Sequence, residues 1–500
     1  KCLEKDRDNR WVNCTALRKA LQEADLSSRL NKRTELSHVR KEALVIVAAI
    51  SILLGLALFL ILKNKHGQGL SPSGKSSGVG SLAMSSPAKL LSEFEEALRK
   101  DDLYTAHRLE KELVPKMSAE SNEAASKSIQ QMEWQARRGH FFELRNNLEE
   151  SLKYNQKALQ LSKIVKPTDM SAYSSQNMRS QAYLHTQMQN WNVAKSIIDQ
   201  GWITYADKQN WDIARAAYNF ATGNYEAAYD YYQSQMPRII ASVERDPHSV
   251  TNLVFLCDRL NSNGLCEIEF EQFDSARKGV EKMVQLFDKA KAIGNKRELR
   301  ISPAVIGEIA TTYFALAEKT NNKARLSDRK NAKRYAKNII QWMQKNGIKV
   351  SRTESNALKI LARCAIREGD DQQAEVYYGV LKKKQESISD KSVVATYLAL
   401  AQLKYKRGDN QNADSYITKA RMASEARKLA WLGRYVLDPK DLLDLAELLA
   451  KKGDASGKVY CASGALALPN ISATEKEQAL ELGGIDSTTK APALKMVLEK

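Results

Sequence analysis

Two hydrophobic patterns divide the chain. Residues 43–62, ALVIVAAISILLGLALFLIL, form an uninterrupted apolar run without a single charged residue. From about residue 89 onward, apolar residues recur every three or four positions in amphipathic segments that short turns separate. The first pattern predicts a membrane-spanning helix, and the second predicts paired helices that each bury one face.

The apolar run has the length of a bilayer core. Twenty helical residues rise about 30 Å, which matches the hydrocarbon thickness. A charged arm, residues 1–42, precedes the run, and no small-residue cleavage site follows it. We therefore expect an uncleaved, single-pass signal anchor. Ser51 and Gly55 form one small-xxx-small pair through which two such helices can pack. The sequence is therefore compatible with a homo-oligomer.

The charges that flank the run predict its orientation. Five Lys or Arg residues lie between positions 29 and 41, whereas Lys63, Lys65 and Lys75 follow the run. The positive-inside rule then places the arm in the cytoplasm and the body across the membrane.

Residues 63–88 are rich in glycine and serine, which predicts a flexible linker. Within it, Gly69, Gly74, Lys75 and Ser76 match the phosphate-binding pattern G-x-x-x-x-G-K-[ST]. That loop needs a buried strand before it and a helix after it, but an apolar run precedes the match and more glycine and serine follow. We reject it as a nucleotide site and expect no cofactor.

The amphipathic segments share one internal order. An apolar helix is followed by a glycine, and the second helix then carries a small residue at a constant phase. The small residue lets two helices cross closely, and the glycine supplies the positive φ of a helix end. The clearest cases are residues 355–385 with Gly369 and Ala374, and residues 394–423 with Gly408 and Ala413.

This order resembles the tetratricopeptide repeat (TPR) family. Ala194 and Ala228 occupy the small position 34 residues apart, which is the family's repeat length. The resemblance covers residues 89–470 and implies an all-α, right-handed solenoid of about nine helical hairpins. Residues 471–500 are expected to form capping helices. Weaker units place Ala106, Ala276 and Ala332 at the same phase.

The resemblance also implies a function, because TPR proteins bind segments of other proteins and act as assembly scaffolds. It implies a scaffold or adaptor in a bacterial envelope machine, such as a flagellar motor, pilus, secretion or polysaccharide-export system. The anchor would then lie in the inner membrane and the solenoid in the periplasm. The alternative is an anchored organelle receptor whose cytosolic solenoid binds chaperones or precursor proteins. A nucleotide-sensing regulator is a third, weaker alternative.

The sequence carries no recognisable catalytic or metal motif. Its histidines are scattered, neither HExxH nor CxxC occurs, and GxSxG occurs only at residues 74–78, inside the glycine- and serine-rich linker. We therefore expect neither an enzyme nor a metal site. The net charge of +18 comes from Lys and Arg that interleave with Asp and Glu, so nucleic-acid binding is not favoured. Cys257 and Cys266 are either free thiols or, in an oxidising compartment, a bridge.

Aromatic residues are dense between positions 202 and 232. Trp202, Trp211, Tyr225 and Tyr229 are candidate anchors for a partner in a groove, since Tyr and Trp carry much interface energy. Tyr232 falls at the position between helices and is expected to be buried. The alternative is that all these side chains pack in the core between helices.

Overall fold

The computed structural model describes residues 86–119, 125–164, 170–293, 302–320, 323–432, 437–468 and 471–484. Three predicted features lie outside these ranges: the arm, the 43–62 span with Ser51 and Gly55, and the linker with its match to the phosphate-binding pattern. Within them, no helix is both long and apolar enough to cross a bilayer.

The described residues form α-helices in antiparallel pairs, with no strand among them. Hairpin 1 is α1 (Pro87–Arg99) and α2 (Leu103–Ala119), hairpin 2 is α3 (Ala125–Leu144) and α4 (Leu148–Ile164), and hairpin 3 is α5 (Met170–Gln187) and α6 (Trp191–Thr204). Hairpin 4 is α7 (Lys208–Ala221) and α8 (Tyr225–Arg245), hairpin 5 is α9 (Val250–Glu269) and α10 (Phe273–Ile293), and hairpin 6 is α11 (Ser302–Lys319) and α12 (Lys323–Lys345).

The C-terminal part continues the same arrangement. Hairpin 7 is α13 (Arg352–Arg367) and α14 (Asp371–Ser387), and hairpin 8 is α15 (Val393–Lys406) and α16 (Asn410–Ala423). A 3₁₀ turn (Ala426–Lys428) and the short α17 (Leu429–Leu432) lead to hairpin 9, which is α18 (Pro439–Lys451) and α19 (Ala455–Ala467), and α20 (Ala473–Gly483) follows. The all-α prediction is therefore confirmed for these residues.

Eight hairpin turns share one construction. A residue with positive φ ends the first helix, and the next residue donates its N–H to a carbonyl five positions earlier, as from Asp370 to Ala365 at 2.9 Å. This is the Schellman arrangement, which satisfies free carbonyls at a helix end. The predicted turn glycines are confirmed, and non-glycine residues take the role elsewhere. The eight positions are Asp101, Asn146, Gln189, Gly223, Glu271, Gly369, Gly408 and Gly453.

The predicted small positions lie where helices cross. Each is fully buried, and Ala374 lies one turn before the equally buried Tyr378. A larger side chain there would separate the two helices, since protein interiors are close-packed. The buried members are Ala106, Ala194, Ala228, Ala276, Ala332, Ala374 and Ala413, and Ser151 is buried at the equivalent place in hairpin 2.

Cys257 and Cys266 are free and buried, so the structure has no bridge between them. Both lie on α9, and nine residues of helix separate them by about 13 Å along its axis. A disulfide needs Cα atoms within about 7 Å, so this helix excludes one. Burial raises the pKa of each thiol to about 12.

The solenoid also contacts itself across a large sequence separation. The Leu103 N–H donates to the Val350 carbonyl at 2.9 Å, and the Lys391 N–H donates to the Arg145 carbonyl at 3.0 Å. Leu103 and Val350 belong to a separate buried apolar cluster with Ile388. The turns of hairpins 1 and 2 thus lie against the connections between hairpins 6 and 7 and between 7 and 8.

Three of the non-glycine turn residues strengthen this contact. Asp101 accepts hydrogen bonds from the N–H groups of Arg352 and Thr353, at 3.1 and 3.0 Å, in the first turn of α13. Asn146 donates to a carboxylate oxygen of Asp390 at 3.1 Å. Gln189 donates to the Ala467 carbonyl at 3.4 Å. We call these contacts, with the main-chain bonds at Leu103 and Lys391, the self-contact.

The self-contact explains why these turns lack glycine. A left-handed conformation costs a non-glycine residue about 1–2 kcal/mol. Asp101 offsets that cost, because its carboxylate satisfies two free N–H groups at a helix N-terminus, where negative charge is favoured. Glu271 shares the positive φ, but its exposed side chain makes no hydrogen bond or ion pair within the described ranges.

Glycine substitutions at Asp101 and Glu271 separate the cost of the left-handed backbone from the hydrogen bonds of the self-contact. Glu271→Gly relieves strain alone, so we expect stabilisation of about 1 kcal/mol. Asp101→Gly relieves the same strain but removes two hydrogen bonds to a charged group, together worth about 3–6 kcal/mol, so we expect net destabilisation. Urea unfolding of both variants beside the parent protein tests this. Equal stabilisation by both substitutions would show that the self-contact adds nothing.

Candidate functional site

Trp211 is a core residue, so its prediction as a groove anchor is wrong. Its side chain has no exposed surface, its Nε1 donates to Ser175 Oγ at 3.0 Å, and its ring stacks on Tyr205. The ring fills the space above Gly201, where a Cβ would lie 2.2 Å from it. A partner therefore cannot reach Trp211.

Trp202, at the end of α6, is 37% exposed. Two cationic side chains of the same chain, however, lie against its ring. The Lys208 Nζ lies 4.8 Å from the ring centroid, and the Arg215 guanidinium lies 5.4 Å away. Its Nε1 donates to Asp212 at 2.9 Å. These contacts already use the aromatic face and the polar edge that would contact a partner.

Tyr225 and Tyr229 are half-buried, whereas Tyr232 is buried as expected. The Tyr225 ring packs edge-on against Phe220 of its own hairpin. Tyr229 instead reaches the next hairpin: its ring packs against Phe270, and its hydroxyl donates to Glu267 at 3.5 Å. Tyr229 thus marks the boundary between hairpins 4 and 5.

A groove opens beside Tyr229 along the same helix face. Tyr229, Gln233, Met236 and Ile240 follow one another at helical spacing on α8, which forms one wall. Helix α9 provides the floor and α10 the second wall, around a cavity of about 270 Å³. We call this the α8–α10 groove. Its lining residues are Gln233, Met236, Ile240, Leu256, Leu260, Asn263, Glu267, Ser275, Lys278, Gly279 and Lys282.

Gly279 keeps the groove open. It lies within α10, and the nearest atom to a Cβ built there is the Leu260 carbonyl oxygen, 4.0 Å away. Nothing in the packing therefore requires glycine, although glycine in a helix interior costs about 0.5–1 kcal/mol relative to alanine. A side chain at this position would project into the groove.

The polar groups of the groove differ in their partners. Glu267 is buried, accepts from Ser275 at 2.8 Å, and has its pKa raised by burial. Asn263 is 4% exposed, and its Oδ1 has no hydrogen-bond partner. Lys278 and Lys282 are exposed at the rim and form no ion pair with any described residue. The groove therefore presents an apolar floor, an unused amide and free cations.

The sequence carried a partial signal of this site. The Tyr229–Ile240 spacing is visible as a helical stripe, but a stripe that faces a groove looks like one that faces the core. Asn263 and the two lysines carry no local signal, because their partners depend on neighbouring helices.

A second polar cluster lies where the first helices of hairpins 5 and 6 pack together. Glu308 of α11 faces Asp258 and Arg259 of α9, and its Oε2 has no hydrogen-bond partner. Burial, with a smaller contribution from the Asp258 charge, raises the pKa of Glu308 to about 8. No cluster of His, Cys, Asp or Glu in the described part is arranged to hold a metal ion.

Comparison with known proteins adds little. No protein-family model matches the chain, and no curated protein matches it. Among solved structures, a Rap protein complexed with Competence and Sporulation Factor is 13% identical, with 79% of this chain and 99% of that chain covered and a TM-score of 0.42. BtubC from P. vanneervenii is 16% identical over 48% of this chain and 89% of its own, with a TM-score of 0.35.

Yeast Tom70 is 10% identical, with 83% of this chain and 99% of Tom70 covered and a TM-score of 0.25. Similarities at these TM-scores carry no argument about function. The TPR-like character of the chain rests on its own repeated hairpins, whose buried small positions and left-handed turns recur through the described residues.

Glu308 predicts a pH-dependent stability. The native carboxyl keeps its proton up to about pH 8, whereas an unfolded Glu loses it near pH 4.5. Its contribution is therefore fully present below pH 4.5 and is lost as the pH rises to about 8. In Glu308→Gln the side chain stays neutral, so urea midpoints should fall less between pH 5 and pH 8 than in the parent protein. Parallel profiles would contradict the assignment.

Proposed function

We propose that this chain is a membrane-anchored, TPR-like scaffold that binds a segment of a partner protein in the α8–α10 groove. The observation that carries the proposal is the groove itself, an apolar cavity of about 270 Å³ beside a buried amide oxygen without a partner. An unsatisfied buried polar group costs about 1–3 kcal/mol. That oxygen has less than 1 Å² of accessible surface, so only a ligand that turns the Asn263 side chain into the groove would supply the missing hydrogen bond and remove that cost.

The scaffold is proposed to serve a bacterial envelope machine, with its body in the periplasm. The apolar run at 43–62, the excess of cations before it and the linker after it support this location. An organelle receptor with a cytosolic body would use the same anchor in the opposite orientation. The sequence has no HExxH or CxxC motif, and its GxSxG match at residues 74–78 lies in the linker, which supports a binding role rather than an enzymatic one.

Location is testable by protease access. The full chain, expressed in bacteria with a C-terminal epitope, should lose its body when protease is added to intact spheroplasts. A cytoplasmic marker protein, which must survive the treatment, shows that the membrane is sealed. Protection of the body in sealed spheroplasts, with cleavage only after lysis, would contradict the periplasmic location.

Groove binding is testable by site-specific photocrosslinking in the full chain. Ile240 lines the groove and is 40% exposed, whereas Ile203 on α6 is 75% exposed and lies outside it. A photoreactive residue at position 240 should capture a protein adduct that the same residue at 203 does not. Equal capture at both positions, or none at 240, would exclude the groove as the binding site.

A further inference from the structure

We infer that the exposed face of α12 docks on the anionic lipid surface of the membrane that anchors the chain. The inference rests on the proposed function, because it requires the membrane anchor, but it concerns a different surface from the α8–α10 groove. Three observations support it: the distribution of charge on α12, an exposed leucine in line with that charge, and the place of α12 relative to the start of the solenoid.

Positive charge is concentrated on α12. The helix carries eight Lys or Arg residues and a single acidic residue, Asp328. Asp328 is buried and pairs with Arg277 of α10 at 2.9 Å, so its charge is already used inside the solenoid. Two of the cations, Arg329 and Lys333, bind polar groups at the end of α13. The exposed side of α12 therefore keeps an excess of positive charge.

Four further cations and one leucine form a stripe along this exposed side. At 100° per residue they fall within an arc of about 100°, and they extend about 28 Å along the helix. No carboxylate in the described ranges pairs with any of the four cations. We call these residues the α12 stripe; they are Leu326, Lys330, Arg334, Lys337 and Lys345.

Acidic groups of the neighbouring helices leave the stripe positive. Glu281 of α10 and Arg334 both act electrostatically on the Tyr313 hydroxyl, but Glu281 forms no ion pair with the stripe. Glu368, at the end of α13, is already paired with Lys333 at 2.6 Å. The stripe thus offers cations to solvent, and an anionic lipid surface attracts such cations within a Debye length of about 8 Å at physiological salt.

Leu326 favours lipid over nucleic acid as the partner. It is 64% exposed and lies one turn before Lys330 on the stripe. A leucine beside cations can enter the boundary of the acyl chains while the cations bind headgroup phosphates. Single-stranded nucleic acid would instead stack its bases on aromatic side chains. The aromatic residues of α12 lie off the stripe, and Tyr335 is buried and Trp342 half-buried.

The self-contact brings the start of the solenoid close to the end of α12. Asp101 accepts from the Arg352 N–H at 3.1 Å, seven residues after α12 ends at Lys345. Helix α1, which leads from Pro87 to this turn, is about 20 Å long. The predicted linker leads into α1 and reaches about 25–30 Å on average. A tether of this length gives α12 a high effective concentration at the bilayer, so a few weak contacts suffice for docking.

Quenching by brominated lipid tests the docking in the full chain. A fluorescent amino acid at position 326 meets bromine atoms on the acyl chains only if the stripe lies on the bilayer. The chain is reconstituted into nanodiscs of brominated phosphatidylcholine, either alone or with about one-third phosphatidylglycerol. We expect quenching of about twofold or more with the anionic lipid and little without it. The same fluorophore in place of Ile203, which is 75% exposed on α6, should not be quenched in either lipid.

A pair of charge reversals assigns the docking to the stripe. Lys330→Glu with Lys337→Glu should abolish the quenching at position 326. Lys451→Glu with Lys476→Glu makes the same charge change on α18 and α20, at exposed lysines that pair with no described residue, and should preserve it. Circular dichroism melting must first show that both proteins are folded. Equal quenching in neutral nanodiscs, or quenching that survives the reversal at 330 and 337, would overturn the inference.

A short fluorescein-labelled DNA duplex tests the competing partner. Its binding to the full chain in neutral nanodiscs is measured by fluorescence anisotropy. Duplex binding that requires Lys330 and Lys337, without quenching by anionic lipid, would identify a nucleic-acid interface and overturn the inference. Quenching by anionic lipid without duplex binding would support it.

Flotation with lipid vesicles in alkaline carbonate separates this inference from the proposed function. Carbonate releases proteins that are bound only at the membrane surface, whereas a chain with a membrane-spanning anchor floats with the vesicles. If the chain floats but position 326 is not quenched, the anchor stands and the docking is wrong. If the chain does not float, the anchored scaffold and the docking are both wrong.

Discussion

The self-contact is the interaction on which the geometry of the described solenoid depends. In an open solenoid each repeat touches only its neighbours, and small rotations between repeats accumulate along the array. Here Asp101 and Leu103 bind the start of hairpin 7, and Arg145 and Asn146 bind the next connection. The chain between these points is a closed loop. Hairpins 4 and 5, which form the α8–α10 groove, lie inside it.

Within this closed loop, the helices around the α8–α10 groove are incompletely packed. Elsewhere small residues let successive helices approach closely, and buried polar groups such as Gln385 and Thr396 bond to each other, although the Glu308 Oε2 also lacks a partner. At the groove, Gly279 leaves space unfilled and Asn263 leaves an acceptor unpaired. Buried polar groups without partners are rare in native proteins. Their coincidence with apolar walls and free lysines is the physical reason to place binding there rather than on the aromatic cluster.

The parts of the fold that are local in sequence could be predicted. Gly369 and Gly408 mark turns because left-handed backbone favours glycine, and Ala194 and Ala228 mark crossings because a helix pair repeats at 34 residues. Trp211 was misassigned because period alone cannot separate a buried aromatic face from an open one. The role of Asp101 could not be predicted, since its partners lie about 250 residues away and give no local pattern.

The distance between the partners of the self-contact also orders events during synthesis. Asp101 and Arg352 are 251 residues apart. At about 5–20 residues per second, about 13–50 s pass between their translation. During that interval the turns of hairpins 1 and 2 exist without the surface that covers them, and Leu103 lacks Val350 and Ile388, its apolar partners on either side of hairpin 7. The N-terminal hairpins therefore complete their packing late, after most of the chain has been made, and protection of Leu103 from solvent reports the end of folding rather than its beginning.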